Sequence, residues 1–184
     1  MGASIRFFAV VGPYRDDESD DNWWPNVSHA YLRGFLDAGV AVRAITISGG
    51  GSYLDLAGDP EWGPWLDLAP MFSANMTSVR VNIVCAPANM QVGRRALPAH
   101  AGGGFVHATA LGELWTANLY NVAITCGLRR EHGSELEALS RYDLVVPPSE
   151  KVGAELRSLG IRAARRTPQE LAMELAEPPL RIYG

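Results

Sequence analysis

The sequence predicts an α/β fold, a doubly wound and mainly parallel sheet of Rossmann-like type in a single domain over residues 1–184, and three observations carry that reading. Short apolar runs such as Ile5 to Val11 recur along the chain and suit strands buried on both faces. Amphipathic helical patterns separate these runs. Helix starts and stops fall at capping residues, and no low-complexity linker or internal repeat divides the chain.

The first strand, Ile5 to Val11, stops at Gly12-Pro13. Pro25 to Ala38 follows as a helix with Val27, Tyr31, Leu32 and Phe35 at helical spacing and Gly39 as its stop. Val40 to Ile47 is a second, β-branched strand ended by three glycines, which completes a βαβ unit. Between Ser52 and Phe72 three prolines break any long helix, while Trp62 and Trp65 indicate a packed, partly helical excursion. Val79 to Ala86, Phe105 to Thr109, Asn121 to Cys126 and Asp143 to Val146 then read as strands three to six of a parallel sheet. Helices are expected over Ser134 to Arg141, from a Ser149 cap to Leu159 with Gly160 closing it, and from a Thr167 cap with Pro168 at its first position.

Composition narrows the function. At 184 residues with 47% hydrophobic and 20% charged residues, the chain is long enough to bury a core without disulfides or a structural metal. The net charge is −4, and Lys151 is the single lysine among 16 basic residues, so general attraction to nucleic acid or an anionic membrane is not expected. The apolar run after the N-terminus is too short for a signal core or a membrane span, and Arg6 breaks a myristoylation motif, which points to a cytoplasmic protein. Asn26 and Asn75 match glycosylation acceptors but carry no weight without a secretory signal. Cys85 and Cys126 are too few for a disulfide framework.

In a doubly wound sheet ligands bind beyond the carboxyl ends of the strands, so the segments after each strand are the expected places for chemistry. The first such segment lacks the glycine spacing of a dinucleotide-binding turn, and the chain has neither a phosphate loop ending in Lys-Ser/Thr nor a Gly-x-Ser-x-Gly elbow. No cofactor is expected. Asp16, Asp17, Glu18, Asp20 and Asp21 could ligate a divalent cation, but five acids so close together fit a solvated face better, and no metal site is expected. Of the adjacent Trp23 and Trp24, at least one is expected to anchor a helix in the core rather than stack on a ligand. The four histidines show no zinc-type spacing. His107, at an expected strand end, suits either a catalytic or ligand contact or a core hydrogen bond. Arg129 and Arg130, after the fifth strand, suit phosphate or carboxylate, or simply a solvated surface.

Four stretches together resemble the N-terminal, acceptor-side half of retaining GT-B glycosyltransferases: Phe105-Val106-His107-Ala108, Val122-Ala123-Ile124-Thr125-Cys126-Gly127, Glu137 to Glu150 with its Asp143-Leu144-Val145-Val146-Pro147-Pro148-Ser149-Glu150, and Leu156 to Ile161. The front of the chain, a strand, a glycine-containing loop and a long helix ending Ala38-Gly39-Val40, is similar as well, so the likeness spans most of the chain. The resemblance implies transfer of a sugar from a nucleotide-sugar donor. Cys126 stands where the family has the histidine of Thr-x-His-Gly, and a thiol does not reproduce imidazole hydrogen bonding. No second Rossmann-like half follows Ile161, so the donor site is expected on a separate donor-binding subunit or a second copy of the chain, with no activity of the chain alone.

The expected ligand contacts are Gly12, Tyr14, His107 and Arg129, and the candidates for catalysis are His107, Glu113 and Cys126. An alternative is a catalytically inactive GT-B-like half reused as a binding or regulatory module, for instance a virus-encoded accessory protein, docking through Trp62, Trp65, Leu66 and Phe72. A small α/β enzyme of another class would need its whole site among Asp16 to Asp21, His107, Glu113 and Arg129, and no motif supports it.

Overall fold

A computed structural model describes residues 4–11, 24–40, 42–49, 79–96, 98–125 and 133–177. Within them β1 (Ser4–Val11), α1 (Trp24–Asp37), β2 (Val42–Gly49), β3 (Val79–Cys85), β4 (Gln91–Ala96), a 3-10 turn (Ala99–Ala101), β5 (Phe105–Thr109), α2 (Ala110–Glu113), β6 (Tyr120–Ile124), α3 (Gly133–Ser140), β7 (Leu144–Val146), α4 (Glu150–Ser158) and α5 (Pro168–Ala176) follow in order. The main sheet has five strands in the order β2-β1-β3-β6-β7, and every neighbouring pair is parallel. Ala163 adds an isolated parallel bridge to Val145 beside β7.

Alternating side chains of each strand feed two cores. On one face Ile5, Phe7, Val81, Ile83, Val122 and Ile124 pack with Leu32 and Phe35 of α1 and Leu171 and Leu175 of α5. Phe7 meets Phe35 edge to face at 6.2 Å between ring centres. On the other face Phe8, Val84, Ala123 and Val145 pack with Leu111 of α2, Leu139 of α3 and Leu156 of α4. Helices on both faces make the sheet doubly wound, as expected. Full burial of a side chain of this size contributes about 1.5–3 kcal/mol, so these two layers supply most of the drive to fold.

The expected punctuation is present. Gly39 takes φ +68° after α1, and Val40 N–H donates to Phe35 C=O at 2.9 Å, closing the helix with a Schellman motif. Trp24 packs partly buried against the first core, as the anchoring reading required. Ser149 caps α4 by accepting from Val152 N–H, and Thr167 caps α5 with Pro168 in the first turn.

One expectation needs correction, and one strand is unforeseen. Phe105 to Thr109 is not a strand of the parallel sheet, which therefore has five strands rather than six; it pairs antiparallel with β4 in a separate two-stranded ribbon. The reason is local: a turn from Pro87 to Met90 follows β3 directly, and an antiparallel partner lies a short connection away, whereas a parallel one needs a crossover. The unforeseen strand is β4, which Gln91-Val92-Gly93-Arg94-Arg95-Ala96 does not announce, because its strand form comes from pairing rather than from β-propensity. The Ser52 to Phe72 excursion lies outside the described residues.

Candidate functional site

The strand order reverses between β1 and β3: the chain passes from β1 to β2 on one side, while β3, β6 and β7 extend the sheet on the other. That reversal places the carboxyl ends of β1, β3 and β6 side by side, the position at which open α/β sheets hold ligands. Backbone bonds carry the pairing past the strand ends, from Ala86 N–H to Ile124 C=O at 3.1 Å and from Thr125 N–H to Val146 C=O at 3.2 Å. Thr125 is buried there.

On the α1 face of this edge Ser28 donates from Oγ to Cys85 Sγ at 3.5 Å, with both residues buried. Burial pushes the Cys85 thiol up to about 12 against the smaller opposing effect of the Ser28 bond, so Cys85 is no nucleophile near neutral pH. Tyr31 donates to Arg166 C=O at 2.8 Å, and burial raises its phenol well above the usual range, which makes it a tie between α1 and the segment before α5.

On the other face the informative residue is Glu135. It lies in the first turn of α3, is 5% exposed, and its Oε2 has no hydrogen-bond partner among the described residues. Its place follows from the topology. α3 ends shortly before β7, and Asp143, in between, accepts from Asn121 N–H at 2.8 Å at the amino end of β6. Eight helical residues rise about 12 Å back along the sheet, so the first turn of α3 lies toward the carboxyl edge. Glu135 precedes Ala138 and Leu139 by three and four positions, on the stripe that enters the second core. A buried acceptor without a partner costs about 1–3 kcal/mol.

The opposite, amino edge holds a polar row that is fully engaged. Arg6, Asn82 and Asn121 occupy one register line across β1, β3 and β6. Arg6 Nε donates to Asn82 Oδ1 at 2.9 Å, and Asn82 Nδ2 donates to Asn121 Oδ1 at 2.8 Å and to Leu114 C=O at 2.9 Å. Asn121 Nδ2 in turn donates to Thr116 C=O and Leu119 C=O, each at 2.8 Å, and the Arg6 guanidinium bonds the Thr116 hydroxyl and lies 4.9 Å from the Phe8 ring centre. These contacts pin the connection between α2 and β6 to the sheet, and each donor in them is used within the fold.

Of the residues singled out from sequence, Gly12, Tyr14, Arg129, Cys126 and Asp16 to Asp21 lie outside the described residues. His107 is described in its backbone position: it is the middle residue of β5, in register opposite Arg94 of β4, and not at the end of a sheet strand as expected. The ribbon pairing described above displaces it from that edge. Glu113 is exposed at the last residue of α2. Neither residue belongs to a strand of the main sheet. Glu135 falls inside the expected Ser134 to Arg141 helix, and its spacing of three and four positions to Ala138 and Leu139 is the sequence signal that puts it on the buried stripe. Among the described residues no helix is long and apolar enough to cross a membrane. Comparison of the chain with protein-family models, curated proteins and solved structures found no match.

Proposed function

We propose that this chain is the acceptor-side half of a glycosyltransferase of GT-B type, holding a sugar acceptor at the carboxyl edge of its sheet and acting with a donor-binding partner that brings the nucleotide sugar. One observation supports this reading above the others. The strand order reverses between β1 and β3, so the strand ends that lead into the Gly12-Tyr14 and Cys126-Arg129 segments flank a single edge. A GT-B reaction proceeds in the cleft between two Rossmann-like units, and the described residues form one parallel sheet of that kind. Transition-state stabilisation by groups on the nucleotide-sugar side then belongs to the partner.

A second reading is favoured by Cys126, which replaces the family's histidine: a GT-B-like half that binds the same class of ligand without supporting transfer. Depleting the chain from an extract of its host with a specific antibody, and adding the purified chain back, separates the two. The glycosyltransferase reading expects a transfer activity from radiolabelled nucleotide sugars to simple glycosides that disappears on depletion and returns on add-back. If no transfer depends on the chain, the non-catalytic reading stands. Turnover by the purified chain alone would overturn the half-enzyme assignment.

A further inference from the structure

We infer that the first turn of α3, Gly133 to Leu136, is a conformational device that alternates between the packed form and an unwound form in which Glu135 reaches water, while the far end of the helix stays fixed. Its ground is an asymmetry between the two ends of one short helix, independent of any glycosyltransferase reading. The far end is anchored. Tyr142, buried just past the last turn, donates from its hydroxyl to Leu111 C=O at 2.6 Å, and its N–H donates to Leu139 C=O at 3.1 Å. Trp115 Nε1–H donates to Arg141 C=O at 2.9 Å, and the Arg141 guanidinium lies 4.6 Å from the Trp115 ring centre. Asp143 N–H donates to Asn121 C=O at 2.9 Å, and Ala138 and Leu139 are buried in the second core just before these ties.

The near end has the opposite balance. Leu136 packs half-buried against the core, and Glu135 is buried with no hydrogen-bond partner for Oε2 among the described residues. In the packed form that oxygen forgoes the hydrogen bonds it makes in water, and unwinding the turn restores them. An eight-residue helix is held chiefly by packing, so the turn that packs a desolvated oxygen is the one that opens first. Glu137 is exposed at the junction, so a backbone change there disturbs no core contact. In an ordinary helix a first-turn acid strengthens the end through the dipole, and its removal loosens the turn. Burial of Glu135 reverses that sign: an apolar side chain at this position holds the turn down.

Native-state hydrogen exchange on the isotope-labelled full chain tests this residue by residue. In wild type the amides of Glu137 and Ala138, whose helical acceptors lie in the first turn, are expected to be about tenfold or more less protected than those of Tyr142 and Asp143. Glu135→Leu is expected to slow exchange at Glu137 and Ala138 by about tenfold or more. Leucine and glutamate have similar helix propensities, so a change of that size reports the buried oxygen and not the helix tendency of the new residue. Glu135→Met, apolar and close to glutamate in shape, is read in the same way if Glu135→Leu does not fold. Wild-type protection at Glu137 and Ala138 equal to that at Tyr142 and Asp143 would overturn the inference. Unchanged or faster exchange there in the folded variant would do the same, and failure of both variants to fold would make the carboxyl group structural and overturn it as well.

Discussion

Gly34 of α1 faces Pro168, the first residue of α5, so closely that a β-carbon on Gly34 would come within 2.7 Å of Pro168 Cβ and 2.8 Å of its carbonyl carbon. The two helices that cover one face of the sheet therefore meet through a position without a side chain, and Leu171 and Leu175 enter the core below that contact. α5 sits on α1 because this residue is small.

Gly34→Ala is accordingly expected to destabilise the protein. Alanine gains about 1 kcal/mol in helix propensity over glycine, but overpacking against backbone atoms costs about 1–3 kcal/mol. A net loss of about 1 kcal/mol in urea melts is expected. A more stable variant would show that α5 does not pack on α1 at this point.

The amino-edge row predicts strong coupling between Arg6 and Asn82. Asn82→Leu alone leaves the Arg6 Nε–H, the Leu114 carbonyl and the Asn121 amide oxygen short of a partner, at a cost of about 2–4 kcal/mol. Adding Arg6→Met removes the buried cation, so the double variant should lose less than the two single losses combined, by about 1 kcal/mol or more. Additive losses in a double-mutant cycle would mean that the two side chains do not share a network.

The outline of the fold was legible because buried parallel strands and capped helices are written locally. Val122, Ile124, Leu144 and Val145 are buried on adjacent strands as their apolar runs required, and Thr167-Pro168 opens α5 where the cap signal stood. What sequence could not carry was pairing. Phe105 to Thr109 has the composition of a sheet strand, and its place in a ribbon depends on the reversal at Pro87 to Met90. The union of Arg6, Asn82 and Asn121 is likewise a product of strand order, since their separations along the chain say nothing about register. For the site, Glu135 had a readable signal in its stripe position, while the lack of a partner for Oε2 emerges only in three dimensions.

Cys85 is expected to resist alkylation in the native protein. With its thiol pushed up to about 12 by burial, it is ionised to about one part in ten thousand at about pH 8, where an ordinary thiol of pKa about 8.5 is substantially reactive. Peptide mapping by mass spectrometry after iodoacetamide treatment should leave the Cys85 peptide unmodified until denaturant unfolds the chain. Rapid native labelling of Cys85 would contradict its place at the buried end of β3.

The cap of α5 should make stability depend on acid pH in a defined direction. Thr167 Oγ1 accepts from Glu170 N–H at 3.2 Å while Glu170 Oε2 accepts from Thr167 N–H at 2.7 Å. The backbone bond with Thr167 is the largest of the effects that hold the Glu170 carboxyl below its ordinary value, followed by the bond with the Thr167 side chain and the nearby Arg166 and Arg165. A carboxyl whose value is lower in the folded state stabilises fully above the unfolded value, about 4.3, and loses that contribution as pH falls through the lower folded value. Wild type should therefore exceed Glu170→Gln in stability most clearly near neutral pH, and the difference should shrink as urea melts are repeated below about pH 4. Thr167→Ala removes the other half of the cap and should cost about 0.5–2 kcal/mol. A wild-type advantage over Glu170→Gln that grows in acid would reverse the sign required by this geometry and rule out the reciprocal cap as the source of the effect.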